Sequence, residues 1–213
     1  MLSSVLFSNL CKKASDVNYV PWHINVIGGI EGLSHYLHHA YCTDDSAVYL
    51  GWVCPQCKGN DFSLSKAVYR NREYCPVCTT KLTSFWSLQR TQYYFMHAQQ
   101  PFGYFATKHL EVQGLIWGYK KPLHNLSNEV FYIDMVVINK SLHKTKTGIS
   151  IVLNLIKTLS NYAAQQGFDY LAGRTQVDNS PLISVFKLID AQIFGPDPTE
   201  PKTRTLWIKP LYP

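Results

Sequence analysis

The sequence has no apolar run of membrane-spanning length and no repeat or low-complexity segment. Charged residues make up only 16% of its 213 residues, and acidic ones are the scarcer kind, with 14 Asp and Glu against 20 Lys and Arg. A hydrophobic content of 46% is typical of a globular chain and excludes a disordered one. We therefore expect a protein without membrane contact, whose net charge of +6 favours an anionic ligand or partner.

The first ten residues lack the basic region and cleavage-like site of a signal peptide, and they are interpreted as a short helix or arm. Six cysteines are present, and four of them form a pattern that suits metal binding better than disulfides. These features predict a cytoplasmic location, inside the cell in a reducing compartment.

The strongest pattern runs from Glu129 to Gly167 and predicts a strand, a loop and a helix. The strand, Val130–Ile138, is β-branched and aromatic, and its one charged residue is Asp134. A helix is expected to begin at Gly148, to carry apolar residues at i, i+3 and i+4 spacing, and to stop at Gly167.

The loop before this helix is basic and leads to a glycine at a helix N-terminus. Free N–H groups and the helix dipole favour an anion there, so a phosphate or pyrophosphate is the expected ligand. The alternative is an ordinary strand-to-helix connection with a solvated loop. The candidate ligand-binding residues are Lys144, Thr145, Lys146, Thr147, Gly148, Ile149 and Ser150.

The segment Thr145–Ser150 resembles the acetyl-coenzyme A signature of the Gcn5-related N-acetyltransferase (GNAT) superfamily, Gln/Arg-x-x-Gly-x-Gly/Ala. The central Gly148 is kept, while Thr145 and Ser150 replace the first and last positions. Asn179, with Phe186 seven residues later, resembles the closing Asn and Tyr of the family, and both are expected at the cofactor. The resemblance covers roughly Gly103–Pro210 well and the amino-terminal part only in outline, and a Cys₄ zinc ribbon before this region is an insertion that the usual fold lacks.

The resemblance implies an α/β (α+β) fold, with a mixed, mostly antiparallel central sheet flanked by helices. It also implies that two sheet strands splay apart to admit coenzyme A, which would bond the backbone of Met135, Val136, Val137 and Ile138. The helices expected from the residue pattern are Ile30–Tyr41, Leu82–Gln100, Gly148–Gln166 and Pro181–Ile189. The expected strands are His23–Ile27, Ser46–Val53, Gly103–His109, Gln113–Lys120, Val130–Ile138, Phe168–Gln176 and Thr203–Lys209.

Cys54, Cys57, Cys75 and Cys78 form two Cys-x-x-Cys knuckles with seventeen residues between them. Two such knuckles complete a tetrahedral thiolate shell, which predicts a structural Zn²⁺ in a ribbon of about residues 50–83 within one domain of 1–213. Disulfides, a redox pair and an iron–sulfur cluster are the alternatives.

Basic residues alternate with aromatic ones in and after the ribbon, a pattern that can bind nucleic acid. The same residues can form the solvated face and small core of such a module, and this structural interpretation is favoured. The basic residues are Lys58, Lys66, Arg70, Arg72, Lys81 and Arg90.

The reaction that the resemblance implies is acyl transfer from acetyl-CoA, or another acyl-CoA, to an amine. Asp134 is the candidate base, because a carboxylate among apolar residues gains a raised pKa; the alternative is a structural Asp bonded to an Arg or to backbone. Phe186 has no proton to donate, which leaves three alternatives: the thiolate leaves unaided, Tyr170, Ser184 or Tyr162 is the acid instead, or catalysis has been lost.

Two hypotheses follow. The first is an acyl-CoA-dependent N-acetyltransferase, an enzyme whose acceptor is a protein lysine, a small amine or a nucleic-acid base. The second is a catalytically inactive GNAT-like binding or regulatory module that contacts protein or nucleic acid through its zinc ribbon.

Overall fold

The computed structural model describes residues 16–211, except 45, 47, 63–67, 124, 125 and 127. The predicted amino-terminal arm and Lys66 lie outside this range. The chain divides into two compact units: unit one comprises the described residues of Met1–Trp22 and Gln99–Pro213, and unit two is His23–Ala98. The expected ribbon, 50–83, lies inside unit two, which extends beyond it on both sides. None of the helices described is both long and apolar enough to cross a bilayer.

The elements alternate along the chain. The strands are β1 (Asn18–Pro21), β2 (Trp52–Val53), β3 (Thr83–Ser84), β4 (Phe102–Lys108), β5 (Glu111–Lys120), β6 (Val130–Ile138), β7 (Tyr170–Gln176), β8 (Gln192–Pro196) and β9 (Arg204–Pro210). The helices are α1 (Gly29–Tyr41), α2 (Pro55–Lys58), α3 (Leu88–Met96), α4 (Lys146–Gln165) and α5 (Ser180–Leu188), with 3₁₀ turns at Ile24–Ile27 and Lys140–Leu142.

Unit one is built on a sheet whose order, in the part described, is β1-β4-β5-β6-β7-β9-β8. Only β6 and β7 are parallel; every other neighbouring pair is antiparallel. The helix α4 connects β6 to β7, as a crossover between parallel strands requires. The predicted mixed, mostly antiparallel sheet flanked by helices is confirmed.

The helix α4 packs on one face of this sheet. Its fully buried side chains include Leu155 and Leu159, which lie in one apolar cluster with Phe131 and Ile133 of β6. Each such side chain contributes about 1.5–3 kcal/mol when it is removed from water. Gly167, at φ 82°, follows the helix as predicted, because its left-handed conformation suits glycine.

Two predictions near the amino terminus are wrong. The segment His23–Ile27, expected as a strand, contains a 3₁₀ turn at Ile24–Ile27 instead. The His23 side chain caps this turn by accepting from the Asn25 N–H. The first strand described is Asn18–Pro21. Of the described residues in the strand expected at Ser46–Val53, Trp52 and Val53 alone form a strand. The strand β8 was not predicted; its Ile193 and Phe194 are exposed, so it carries no clear alternation of buried and exposed residues.

Unit two combines α1 with a two-stranded sheet of β2 and β3. The helix expected over Leu82–Gln100 is wrong in its first turns, because Thr83–Ser84 pairs with β2 and α3 begins only at Leu88. The buried face of α3 is also not its apolar stripe: Arg90 and Thr91 are buried, whereas Leu88 is exposed. Arg90 can be buried because its guanidinium donates hydrogen bonds to the carbonyls of Phe85, Gly59 and Asp61.

Candidate active site

The strands β6 and β7 diverge half-way along β6. Their parallel register runs from Val130 opposite Tyr170 to Ile133 opposite Gly173, where it ends. Beyond this point β7 stays paired with β9, and the rest of β6 pairs only with β5 among the described strands. A gap lined by one edge of β6 therefore opens after Ile133.

The backbone groups that face this gap follow from the antiparallel pairing of β5 and β6. Asn139 directly follows β6, and its N–H donates to the Gln113 carbonyl at 2.9 Å, so the backbone of Asn139 bonds toward β5. Alternate residues of an antiparallel strand bond toward opposite sides. Val136 and Ile138 therefore direct their N–H and C=O groups into the gap, where a ligand can satisfy them.

A β-bulge places Asp134 where the two strands part. Trp117 lies opposite Met135 and Gly118 opposite Ile133, which leaves Asp134 as the extra residue of β6. A bulge changes which residues share a face. Ile133 and Val136, three residues apart, accordingly both pack against the α4 side, while the Asp134 carboxylate faces Arg174 of β7.

The Asp134 carboxyl is largely shielded from water, with 12% of its side chain exposed. Burial raises its pKa, and the nearby guanidinium groups of Arg174 and Arg204 act in the opposite direction without cancelling this effect. The Arg174 Nη2 atom lies 3.7 Å from its Oδ1 atom. A carboxylate with a raised pKa accepts a proton more readily near neutral pH, as a general base requires.

The loop after β6 is fixed by its own hydrogen bonds. The Thr145 hydroxyl caps α4 by accepting from the Gly148 N–H at 2.9 Å, and it donates to the Leu142 carbonyl at 2.8 Å. The helix therefore begins at Lys146, and the prediction that Gly148 opens it is wrong by two residues. A Cβ atom on Gly148 would lie 2.1 Å from the Leu142 carbonyl oxygen, so glycine is needed there for packing within the loop.

This cap leaves two amides at the start of α4 for a ligand. Within the described residues, no acceptor outside the helix is bonded to the Lys146 or Thr147 N–H, and neither can bond within the helix. Both side chains are exposed, and the exposed Lys144 precedes them at φ 59°. The amides, the helix dipole and two lysines are the groups at this helix N-terminus that could hold an anion.

The four knuckle cysteines come together in unit two. Their Sγ atoms all lie within 4.8 Å of one another, with Cys54–Cys78 and Cys57–Cys78 at 3.4 Å and Cys57–Cys75 at 3.9 Å. Tetrahedral Zn–S bonds of about 2.3 Å place sulfur atoms about 3.8 Å apart. The site therefore fits a closed Zn²⁺ centre, and it is the only such cluster found among the residues described.

The sequence has no matching protein-family model and no matching curated protein. Solved structures do match. One is a chain of the NatC complex bound to Gag peptide and CoA, at 13% identity and a TM-score of 0.55, with 92% of this chain and 98% of that chain covered. The chain has the GNAT fold.

Other GNAT-fold structures match over shorter stretches. A putative acetyltransferase of the GNAT family from Desulfovibrio desulfuricans has 11% identity and a TM-score of 0.46, covering 58% of this chain and 78% of that one. Aminoglycoside 6'-acetyltransferase type Ii has 16% identity and a TM-score of 0.46, with 59% and 77% covered.

Within this GNAT fold, Phe186 lies beside the point where β6 and β7 part. It is buried, its ring stacks on Trp207 at 5.5 Å, and its Cζ atom would be 2.9 Å from a Cβ on Gly173. Asn179 caps α5 by accepting from the Leu182 N–H at 3.3 Å. The contacts of Phe186 and Asn179 are within the protein and do not involve a ligand. Their expected role in binding coenzyme A therefore stays a prediction.

The candidate acids do not gather around Asp134. Tyr170 lies opposite Val130, about 13 Å along the strand from Asp134 at 3.3 Å per residue. The Ser184 hydroxyl is exposed and donates to the Ser180 carbonyl one turn earlier. Tyr162 stacks on Phe102 at 3.6 Å on the α4 side of the sheet. The structure therefore offers no support for any of the three as a proton donor.

Two of the six basic residues in and after the expected ribbon, Lys58 and Arg90, are buried, which keeps their side chains from a nucleic-acid ligand. Arg70 lies over the Tyr49 ring at 4.0 Å, and Lys81 pairs with Glu73 at 3.5 Å. These contacts favour the structural interpretation.

Two charged residues beside Asp134 were missed. Arg174 lies in β7, and Asp197 directly follows β8. An arginine inside an otherwise uncharged strand, in the segment Tyr170–Gln176, was the available signal for the first. Asp197 had no such signal, because β8 was not predicted.

Proposed function

We propose that the chain is an acyl-CoA-dependent N-acyltransferase that moves an acetyl group from acetyl-CoA to a primary amine. One observation carries this proposal: a shielded carboxylate, Asp134, is held by a bulge at the mouth of an open strand edge. The match to a chain of the NatC complex, in a structure that holds CoA and a peptide, supports the same donor class.

The residues beside the gap suit the two polar parts of coenzyme A. The Val136 C=O and the Ile138 N–H, which both face the gap, match the amide-containing arm of the molecule. The amides of Lys146 and Thr147, with the charge of Lys144, match its pyrophosphate. Ile138 is partly engaged already, because its carbonyl oxygen lies 3.2 Å from His143 Nε2.

In the proposed reaction the amine nitrogen attacks the thioester carbonyl carbon. A C–N bond forms, the C–S bond breaks, and coenzyme A leaves as its thiolate. Asp134 takes the amine proton, directly or through a water, and the Val136 N–H stabilises the charge that develops on the carbonyl oxygen. A thiolate is a good leaving group, so the reaction does not require a proton from the position of Phe186.

An acceptor panel tests this proposal. Release of free coenzyme A thiol is measured with the zinc-loaded protein, acetyl-CoA and one amine at a time. The panel contains a peptide with a free N-terminus, a lysine peptide with a blocked N-terminus, a polyamine and an aminoglycoside. We expect at least one acceptor to raise the release rate well above acetyl-CoA hydrolysis, with an acetylated product of matching mass.

A second candidate function, the catalytically inactive module, is favoured by one observation. Phe186 cannot donate a proton, and its ring packs against Trp207 and Gly173. An acceptor panel without turnover, together with unmeasurable acetyl-CoA binding, would support this second candidate over the first.

A further inference from the structure

Arg174 of β7 and Asp197, which directly follows β8, form a charged network beside Asp134 of β6. The Arg174 side chain lies between two carboxylates: its Nη2 atom is 3.7 Å from Asp134 Oδ1, and its Nη1 atom donates to Asp197 Oδ2 at 3.2 Å. Nη1 also lies 3.4 Å from the Thr199 hydroxyl. The Arg174 guanidinium is therefore closer to the Asp197 carboxylate than to the Asp134 carboxylate.

Asp197 is itself held firmly. Its Oδ1 atom accepts from the Thr199 N–H at 2.8 Å and from the Thr199 hydroxyl at 2.7 Å, and its own N–H donates to the Arg204 carbonyl at 3.0 Å. Burial alone would raise its pKa, but the Thr199 hydrogen bonds and Arg174 outweigh burial, so its pKa is lowered. Asp197 is therefore a fixed anion whose second oxygen points at Arg174.

We propose that Arg174 is a positioning residue that orients the Asp134 carboxylate, and that Asp197 keeps Arg174 from closing on Asp134 as a tight ion pair. The proposal rests on the proposed function, in which Asp134 is the base. A guanidinium has a planar fork of donors that can hold two carboxylates in fixed directions. Without Asp197, the same fork would be free to pair with Asp134 and make it a weaker base.

Other ionisable groups also face Asp134 and Arg174. Arg204 of β9 acts on Asp134, and its guanidinium pairs with Glu200 at 3.2 Å. Tyr132 of β6, Tyr119 of β5 and Lys121 lie near Arg174, and burial raises the pKa of both tyrosines and lowers that of the lysine. None of these groups bridges two carboxylates in the described structure, so the Arg174 and Asp197 variants isolate the network.

The signs of the expected changes are opposite. Arg174→Gln removes a cation that lowers the pKa of Asp134, so the acid limb of the kcat/KM profile moves to higher pH. Asp197→Asn removes an anion that raises this pKa and frees Arg174 for Asp134, so the limb moves to lower pH. On that limb, each pH unit of displacement changes kcat/KM about tenfold.

The test combines this profile with a readout that needs no activity. The titration of the Asp134 carboxyl is followed by carbon-13 NMR in the ligand-free protein, with its resonance assigned from Asp134→Asn. We expect the same opposite displacements in the NMR titration and in kcat/KM. Arg174→Lys keeps the charge but not the fork, so its displacement should be smaller than that of Arg174→Gln.

Lys120→Gln is the matched control. It breaks the 2.6 Å ion pair with Glu129 in the same sheet, without a contact to Asp134 in the described structure, and should leave both titrations unchanged. Displacements in the same direction for Arg174→Gln and Asp197→Asn, or none, would overturn the proposal. If no acceptor is turned over, the proposed function fails. The NMR titration still tests whether Arg174 and Asp197 act on the Asp134 carboxyl in opposite directions.

Discussion

Asp134→Asn is expected to lower kcat for acyl transfer by about a hundredfold to ten-thousandfold, the usual contribution of a positioned general base. The affinity for acetyl-CoA should change little, because the carboxylate is not among the groups proposed to hold the donor. Steady-state kinetics with the best acceptor, together with a binding titration, measure the two effects separately. Transfer that continues at the wild-type rate would show that Asp134 is not the base.

The same variant separates a catalytic from a structural role through stability. Burial raises the folded-state pKa of Asp134 above its ordinary value. The protonated carboxyl therefore adds to the free energy of unfolding at low pH, and this contribution is lost as pH rises through the folded-state pKa. At pH 8 the neutral amide should therefore be at least as stable as the ionised carboxylate. A clear fall in the thermal midpoint of Asp134→Asn at that pH would instead favour a structural ion pair with Arg174.

Asp169→Asn serves as the control for losing a carboxylate elsewhere in the sheet. The Asp169 carboxylate accepts from the Glu129 N–H at 3.1 Å, at the paired end of β6 and β7. The Asn side chain keeps an oxygen that can accept this hydrogen bond, so the substitution exchanges a charge-assisted bond for a neutral one, a difference of about 1 kcal/mol. We expect a small loss of stability and a kcat close to wild type, in contrast to both effects of Asp134→Asn.

Removal of Zn²⁺ is expected to unfold the knuckle region of unit two. Among the residues that the structure describes, the buried members of the apolar cluster around the knuckles are Cys54, Cys75 and Leu82, so hydrophobic burial in this cluster is small. Structural Zn²⁺ supplies about 10–16 kcal/mol of apparent binding free energy in small zinc modules. This is comparable to the upper part of the range of about 5–15 kcal/mol by which whole domains are usually stable.

Metal analysis and thermal unfolding test this expectation. The wild-type protein should carry one equivalent of zinc, and Cys54→Ser or Cys75→Ser should carry far less and unfold in the knuckle region at a lower temperature. Cys42→Ser is the matched control, because Cys42 is buried in the same unit outside the cluster and should keep its zinc. A Cys54→Ser protein of unchanged stability would remove the metal from this account.

Local patterns were sufficient for the parts of the fold that depend on neighbours in sequence. The alternation and branching of Val130–Ile138, the periodicity of α4 and the stop at Gly167 all lie within short segments. The cysteine spacing likewise predicted which four residues meet, because each knuckle is a local turn and two of them complete one shell.

Features that depend on pairing between distant segments could not be read in this way. The bulge at Asp134 exists only in register with Trp117 and Gly118 of β5. The network of Arg174 and Asp197 joins strands that are far apart in sequence. The helix predicted over Leu82–Gln100 failed in its first turns for the same reason, since Thr83–Ser84 pairs with the distant strand Trp52–Val53.

The central claim is that the gap between β6 and β7 binds the acyl donor, and a calorimetric titration of the zinc-loaded protein with acetyl-CoA tests it most directly. Coenzyme A serves as the parallel ligand. We predict affinity in the micromolar range, weakened in Lys144→Ala and Lys146→Ala because each loses a charge beside the α4 amides. Absence of binding for both ligands would contradict the account.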